Sequence, residues 1–389
     1  MSKLNEHIHL NSRLIHGGID GDDKTGAVSV PIYQTSTYRQ QGLGENKGYE
    51  YSRTGNQTRE ALEKLIAELE EGTAGFAFAS GMAAITAVLF LFKLGDKLLI
   101  SSNVYGGTFR VLYKVFQNFG ITYEMIDTSD LNLLESRIDK NVKGLIIESP
   151  ANPLLTITDI AAAAEIAKRH GLLTIVDNTF MTPYLQRPLT LGADVVVHSA
   201  TKYLGGHSDI VAGLAVTNNE EIAKRLAFIQ NATGGILEPF DSWLLIRGIK
   251  TLSVRLDRHL ENTVFVADFL RAHPGVEKVY YPGFEDFDGY EVQKKQASGA
   301  GAILSFVLSD AYDIRKFYKS VKLITLGESL GGVESLVCHP ASMTHASIPY
   351  EIRQKVGIVE NLVRLSVGIE DKDDLVDDLS DAFAKAKSK

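Results

Sequence analysis

The amino-acid sequence predicts an α/β fold, with a mostly parallel sheet sandwiched by helices, and a smaller α+β domain after it. Two observations predict this fold. Short apolar runs alternate with stretches of helical period, which is typical of parallel strands joined by crossover helices. The chain of 389 residues also exceeds the length at which one core usually keeps growing, and its 44% hydrophobic content can fill two cores.

The elements of the larger domain follow in chain order. Apolar residues recur with helical spacing from Thr58, and Gly72 stands where a C-terminal helix cap belongs. Gly75 begins a strand that leads through a tight turn into an apolar helix at residues 83–92. Further strands are predicted at residues 97–101, 123–127, 144–149, 173–178 and 194–199, with an Ala-rich helix at 160–170 closed by Gly171.

Three regions are predicted along the chain. Residues 1–57 have little helical period, and we expect them to form an N-terminal arm that contacts the neighbouring subunit. Residues 58–250 form the α/β domain. The spacing of Leu252, Leu256 and Leu260 predicts a long helix that opens residues 251–389, the C-terminal α+β domain. Strands at 302–308, 336–339 and 362–367 and a helix at 374–387 complete it.

Composition narrows the class of partner. A net charge of −8 without any basic run argues against nucleic acid and leaves small molecules. No apolar run is long enough for a membrane helix, and the first seven residues lack the apolar segment of a secretion signal. The single cysteine, Cys338, cannot form an internal disulfide, so we expect a cytoplasmic protein in which Cys338 is a small core residue.

A lysine flanked by two hydroxyl residues follows the last predicted strand of the larger domain. The lysine amine of Lys202 can condense with a cofactor aldehyde, while Ser199 and Thr201 can hydrogen-bond a cofactor phosphate. Asp177 ends the preceding strand, and parallel neighbours would present Asp177 and Lys202 at the same edge of the sheet. An aspartate there can keep a pyridine nitrogen protonated, which makes the ring an electron sink.

The turn before the helix at 83–92 is a candidate phosphate site. Its residues have small side chains, and the free N–H groups of Gly81 and Met82 would point at an anion with the helix dipole behind them.

Taken together, these residues resemble the Cys/Met-metabolism family of pyridoxal-phosphate enzymes, which includes cystathionine γ-lyases, γ-synthases and β-lyases and methionine γ-lyases. The resemblance runs from about residue 12 to 379 and implies the fold-type I transferase fold and the cofactor pyridoxal 5′-phosphate. The matching segments are 51–56 (YSRTGN), 79–84 (ASGMAA), 176–179 (VDNT), 192–194 (GAD), 199–203 (SATKY), 206–209 (GHSD) and 364–368 (RLSVG).

The resemblance also implies roles for further residues. Tyr105 would stack on the pyridine ring, and Arg364 would bind the substrate α-carboxylate, with Asn152 and Ser329 near it. Tyr51 and Arg53 would bind the phosphate from the neighbouring subunit. The resemblance also implies a homotetramer, a dimer of dimers with shared active sites.

Two acidic residues point to one reaction within the family. Glu50 and Glu328 match acids typical of cystathionine γ-lyases, and two carboxylates would favour a substrate with a distal ammonium. The expected reaction is α,γ-elimination of L-cystathionine to L-cysteine, 2-oxobutanoate and ammonia, with release of hydrogen sulfide from cysteine as a further activity. Cystathionine γ-synthase and β-lyase stay open as alternatives. Methionine γ-lyases resemble the chain less, because they typically have cysteine where Gly107 stands.

Two alternatives come from other classes. A homologue that binds pyridoxal phosphate only as a regulatory module would not need the intact set of Asp177, Lys202, Tyr105 and Arg364. A metal site at His207 and Asp209 lacks a second spaced pair of ligands, so no metal is expected.

Overall fold

The computed structural model describes residues 8–18, 21–22, 24–344 and 350–387. The α-helices there are α1 (Leu10–His16), α2 (Gln57–Leu69), α3 (Gly81–Leu89), α4 (Gly106–Lys114), α5 (Leu131–Ser136), α6 (Ile160–Arg169), α7 (Thr182–Leu185), α8 (Glu220–Thr233), α9 (Pro239–Ile249), α10 (Leu252–Ala272), α11 (Tyr290–Gln296), α12 (Ile314–Ser320), α13 (Tyr350–Lys355) and α14 (Lys372–Ala386). No helix in these ranges is long and apolar enough to cross a membrane.

The larger sheet has seven strands: β1 (Ala74–Phe78), β2 (Lys97–Ser101), β3 (Thr122–Ile126), β4 (Val142–Glu148), β5 (Leu173–Asp177), β6 (Val195–Ser199) and β7 (Gly213–Thr217). Their order is β1-β7-β6-β5-β4-β2-β3. Strands β2 to β6 are parallel to one another, whereas β7 is antiparallel to both of its neighbours. The predicted mostly parallel sheet is confirmed, and β7 is a strand that the sequence analysis missed.

Helices cover both faces of this sheet, as the buried side chains of β6 illustrate. Val195 and Val197 pack with Val88 of α3 on one face. Val196 packs with Leu65 of α2 on the other face. Successive side chains of a strand point to opposite faces, so an uninterrupted apolar strand needs a hydrophobic layer on each side. This explains why β6 has no polar residue before His198.

The smaller sheet has five strands: β8 (Val276–Tyr280), β9 (Ile303–Leu308), β10 (Thr325–Leu326), β11 (Leu336–Cys338) and β12 (Leu362–Ser366). Their order is β10-β11-β12-β9-β8, and all pairs except β10 with β11 are antiparallel. Helices α12 and α14 pack on this sheet through an aromatic core of Phe306, Phe317 and Phe383. The predicted α+β arrangement is therefore present, while the boundaries at residues 57 and 250 stay predictions.

One helix was not predicted, and one local prediction was wrong. The N-terminal region contains the short helix α1, because Leu14 packs into the same core as Leu65 of α2 and is fully buried. Gly72 is not the left-handed cap of α2. Glu71 has that conformation, with φ of 58°, and a Cβ on Gly72 would lie 2.4 Å from Val216 Cγ1. The glycine is needed for close packing against β7 rather than for its backbone freedom.

Glu71 should therefore be the more strained of the two residues. We expect Glu71→Gly to be more stable than Glu71→Ala by about 1 kcal/mol, since a side chain disfavours the left-handed region. Both variants lose the same ion pairs, at 3.8 Å to Arg13 and 3.4 Å to Arg187. Urea-unfolding midpoints at one protein concentration provide the comparison, and equal midpoints would contradict the expectation.

Candidate active site

A cavity of about 310 Å³ lies at the carboxyl ends of β4, β5 and β6, beside the smaller sheet. It brings together most of the site residues predicted from the sequence. Those that line it are Gly81, Met82, Tyr105, Asn152, Asp177, Ser199, Thr201, Lys202, Glu328, Ser329 and Arg364. Predictions made from separate motifs thus converge on one place in the fold.

Lys202 follows β6 and points its amine into this cavity. Its Nζ donates a hydrogen bond to Ser329 Oγ over 2.7 Å. Burial lowers the pKa of Lys202 to about 8, assisted by the positive charge of Arg364 and opposed by Glu328. More of the amine is therefore neutral near neutral pH than for an ordinary lysine, and the neutral amine is the form that attacks an aldehyde.

Asp177 is the last residue of β5, and it pairs in register with Val197 of the parallel strand β6. The prediction that Asp177 and Lys202 share one edge of the sheet is therefore confirmed. Asp177 Oδ1 accepts a hydrogen bond of 3.0 Å from the N–H of Thr179 and another from the Thr179 hydroxyl. Burial raises the pKa of Asp177, and the two hydrogen bonds oppose that effect.

The N-terminus of α3 lies directly against β6. Ser80 caps the helix by accepting a hydrogen bond of 3.0 Å from the N–H of Ala83. A Cβ on Gly81 would lie 2.8 Å from Ser199 Cβ, so only a glycine allows this close approach. The first N–H groups of a helix have no partner within the helix, and those of Gly81 and Met82 begin α3 beside Ser199. An anion fits there.

Arg364 reaches the cavity from β12 of the smaller sheet and is only 3% exposed. Its Nη1 donates to Asn152 Oδ1 over 3.0 Å, and its Nη2 donates to the carbonyl oxygen of Ser329 over 2.8 Å. Arg364 Nε has no hydrogen-bond partner among the residues that the structure describes. Because its partners are neutral groups, the guanidinium can bind an additional carboxylate.

Ser329 connects Lys202 and Arg364 and has an unusual backbone. Its φ of 107° lies in a region that residues with a side chain rarely adopt. Such strain costs on the order of 1–3 kcal/mol and persists only where surrounding contacts hold it. Here the hydroxyl and the carbonyl oxygen are held by two different cations, which explains why the conformation is maintained.

Tyr105 forms the exposed side of the cavity, with 45% of its surface accessible. It precedes α4, and a Cβ on Gly107 would lie 2.4 Å from Tyr105 Cε1 and 2.6 Å from Met82 Sδ. Gly107 therefore allows the tyrosine ring and Met82 to pack closely. A cysteine at this position would have to displace one of them.

Glu148 is a cavity residue that sequence reasoning missed. It ends β4, lies opposite Asp177 in the register of β4 and β5, and is 5% exposed. Burial and the charge of Asp177 raise the pKa of Glu148, against hydrogen bonds from two backbone N–H groups. Its position at the end of a predicted strand, as for Asp177, was the signal that could have identified it.

Three predicted residues do not line the cavity of their own chain. Glu50, Tyr51 and Arg53 are exposed residues of the N-terminal region. Glu50 accepts a hydrogen bond of 2.6 Å from Asn46, and Arg53 donates one of 3.2 Å to Asn231. The guanidinium of Arg53 lies 5.6 Å from the ring centre of Tyr51.

The cavity fits pyridoxal phosphate. It combines a partly neutral lysine amine, a helix N-terminus for a phosphate and a buried carboxylate for a ring nitrogen. The two hydrogen bonds from Thr179 to Asp177 both use Oδ1 rather than Oδ2. By contrast, those ranges contain no group of three or more His, Cys, Asp or Glu side chains that could hold a metal.

Comparisons with known proteins agree with this geometry. Residues 11–384 match the model of the Cys/Met metabolism PLP-dependent enzymes. A cystathionine γ-lyase of Bacillus subtilis is 56% identical over 95% of this chain and 98% of its own length. A cystathionine β-lyase of Lactococcus lactis is 54% identical over 97% of this chain and 99% of its own length.

The fold is also similar to that of a solved structure from the same group of enzymes. The crystal structure of cystathionine γ-lyase from Lactobacillus plantarum complexed with L-serine has a TM-score of 0.96 and 51% identity, covering 97% of this chain and 99% of that one. The chain therefore belongs to the Cys/Met metabolism family of pyridoxal-phosphate-dependent enzymes, and it is a trans-sulfuration enzyme that uses this cofactor.

Proposed function

We propose that this enzyme is a cystathionine γ-lyase, which converts L-cystathionine and water to L-cysteine, 2-oxobutanoate and ammonia by α,γ-elimination. The observation that carries the proposal is Glu328, an exposed carboxylate that lines the cavity directly before Ser329. A carboxylate there favours a substrate whose far end carries an ammonium, as that of cystathionine does. Release of hydrogen sulfide from cysteine is a further activity open to the same residues.

The cofactor would be held from three sides. The N–H groups of Gly81 and Met82 and the hydroxyls of Ser199 and Thr201 would bind its phosphate. Asp177 would hold the ring nitrogen protonated, Tyr105 would stack on the ring, and Lys202 would hold the aldehyde carbon through its amine. Bound in this way, pyridoxal phosphate supplies an electron sink for negative charge that develops at the substrate Cα.

Substrate would be oriented by its carboxylate and deprotonated by lysine. Arg364 would bind the α-carboxylate, because its hydrogen-bond partners are neutral and Asn152 fixes the guanidinium plane. Lys202, displaced by the incoming amino group, would remove the Cα proton and then move protons at Cβ. Its lowered pKa suits a base that must give up and regain protons near neutral pH.

Cystathionine β-lyase is the second candidate. The same lysine, aspartate and arginine serve either elimination, and the relatives named above include both lyases at 56% and 54% identity. The difference lies in which carbon–sulfur bond the bound substrate presents. A γ-synthase would use the same cavity to replace the acyloxy group at Cγ of an acylated homoserine by the thiol of cysteine, with release of the acid.

We also propose that the active enzyme is a homotetramer with shared sites. Glu50, Tyr51 and Arg53 are exposed and do not line the cavity of their own chain, which supports their contribution to a neighbouring cavity. There Tyr51 and Arg53 would bind the phosphate, and Glu50 would pair with the distal ammonium.

The products of L-cystathionine decide between the two lyases. We expect 2-oxobutanoate and cysteine in excess, whereas β-cleavage gives pyruvate and homocysteine. Chromatography of both keto acids and both thiols at early reaction times measures the ratio. Pyruvate and homocysteine as the main products would replace the γ-lyase proposal by the β-lyase one.

Substrate preference should depend on the two acidic residues. We expect the double variant Glu50→Asn and Glu328→Val to lose roughly ten- to a hundredfold in kcat/KM for cystathionine, because a charge-assisted contact to the ammonium is lost. Preference should shift toward methionine. The control is Glu45→Asn with Glu277→Val, which removes two exposed carboxylates elsewhere. If the ratio of kcat/KM for cystathionine to kcat/KM for methionine stays within about twofold of the control, the proposed roles of Glu50 and Glu328 are contradicted.

Mixed oligomers test the shared site. We expect Arg53→Ala and Lys202→Ala each to be nearly inactive alone. After subunit exchange, a mixed dimer would contain one cavity with both Lys202 and a neighbouring Arg53, so activity should return. Native mass spectrometry verifies the exchange. Verified mixing without recovered activity would show that Arg53 does not act across subunits.

A further inference from the structure

Glu148 is a buried carboxylate in the cavity for which the proposed chemistry has no role. Its neighbour across β4 and β5 is Asp177, and its own backbone N–H donates to Ser101 Oγ of β2 over 3.3 Å. A buried carboxylate beside another carboxylate is costly unless its oxygens are satisfied. The role of Glu148 therefore depends on the hydrogen-bond partners of its Oε1 and Oε2.

The two oxygens bind two different loops. Glu148 Oε2 accepts a hydrogen bond of 2.8 Å from the N–H of Tyr105, in the turn between β2 and α4. Glu148 Oε1 accepts one of 3.1 Å from the N–H of Asn152, in the loop after β4. Both donors are backbone N–H groups, of Tyr105 and Asn152, and their directions are fixed by the backbone conformation. An ionised carboxylate satisfies both because it has two acceptor oxygens and no hydrogen, and these two hydrogen bonds oppose the rise in the pKa of Glu148 that burial and Asp177 cause.

The connection continues into the smaller domain. Asn152 accepts from Arg364, Arg364 donates to the carbonyl oxygen of Ser329, and the Ser329 hydroxyl accepts from Lys202. In this hydrogen-bonded series, Glu148 is the residue that binds both the loop of Tyr105, which would stack on the cofactor ring, and the loop of Asn152, which holds the carboxylate-binding Arg364. It also touches the strand that presents Asp177.

We propose that Glu148 is a positioning residue that fixes Tyr105 and Asn152 relative to each other through their backbone N–H groups. It thereby sets the distance between the ring-stacking side and the α-carboxylate-binding side of the cavity. The inference rests on the proposed roles of Tyr105, Asn152 and Arg364, but it does not depend on which carbon–sulfur bond is cleaved.

The main test compares Glu148→Gln with Glu63→Gln in the holoenzyme. Glu63 is a matched control on α2, outside the cavity, whose Oε1 accepts from the N–H of Ala77 over 2.9 Å and from Gln230 over 3.0 Å. Glutamine at 148 directs a donor at one of the two N–H groups. We expect KM for cystathionine to rise about tenfold, the equivalent of one lost hydrogen bond, with a smaller fall in kcat.

Two readouts do not require turnover. The dissociation constant of L-alanine, which has the α-carboxylate but no leaving group, should rise by a similar factor. The visible circular dichroism of the bound cofactor should change, since it reports the ring relative to Tyr105. Glu63→Gln should alter neither quantity. Unchanged values in Glu148→Gln would overturn the proposal even if the wild-type products were those of β-cleavage.

A double-mutant cycle separates positioning from general destabilisation. Asn152→Ala keeps the N–H that Glu148 binds but removes the Oδ1 that holds Arg364. If positioning by Glu148 reaches the substrate carboxylate through that side chain, Glu148→Gln should raise KM by less than about twofold in the Asn152→Ala background. An equal rise in both backgrounds would overturn the proposal. Should Glu148→Gln fail to fold, Glu148→Asp keeps an acceptor-only carboxylate that is too short for both loops. Glu148→Asp should raise KM by less than the tenfold expected for Glu148→Gln. Kinetics equal to those of Glu63→Gln would show that Glu148 is not a positioning residue.

Discussion

The cavity depends on one buried cation that joins the two sheets. Arg364 belongs to β12 of the smaller sheet, yet its donors reach Asn152 after β4 of the larger sheet and the carbonyl oxygen of Ser329. Neither partner neutralises its charge. Burial is the main cause of the lowered pKa of Lys202, and the charge of Arg364 lowers that pKa further. The same buried cation attracts an anion, so it contributes both to Lys202 and to a carboxylate site.

The order of the strands supplies the other half of the cavity. Parallel strands end at one edge, which aligns Glu148, Asp177 and Ser199 at the carboxyl ends of β4, β5 and β6. The antiparallel strand β7 begins at this edge beside the start of α3. A Cβ on Gly213 would lie 2.1 Å from the carbonyl oxygen of Ser80, so a glycine is required for α3 to reach β6. The proposed phosphate site thus depends on a glycine that does not itself line the cavity.

The acidic and basic side chains of the cavity have pKa values shifted in opposite directions. Glu148 and Asp177 carry raised pKa values because they are buried side by side, whereas Lys202 has a lowered one because it is buried near Arg364. Opposite shifts in neighbouring groups bring acids and bases closer to neutral pH, where protons can be exchanged with little cost. The strained backbone of Ser329 lies between the two cations and shows how tightly the loops are held.

The sequence by itself determined the fold class, the positions of most strands and the eleven predicted residues that meet in the cavity. The fold class, the strands and residues such as Asp177 and Lys202 follow from local information, since apolar periodicity and residues at strand ends identify the carboxyl edge of a parallel sheet. The resemblance to a known family, rather than any local pattern, identified Tyr105, Asn152, Glu328, Ser329 and Arg364. It missed α1 and β7, whose short runs gain their stability from packing against α2 and β6. It also assigned to Gly72 a backbone role that Glu71 has. Only the tertiary structure decided that Glu148 binds two loops and that Ser329 joins Lys202 to Arg364. The contacts of Ser329 join residues that are 35 and 127 positions apart in the chain. Those of Glu148 depend on the distance between two loops. A local sequence pattern encodes neither a long-range contact nor a distance between loops.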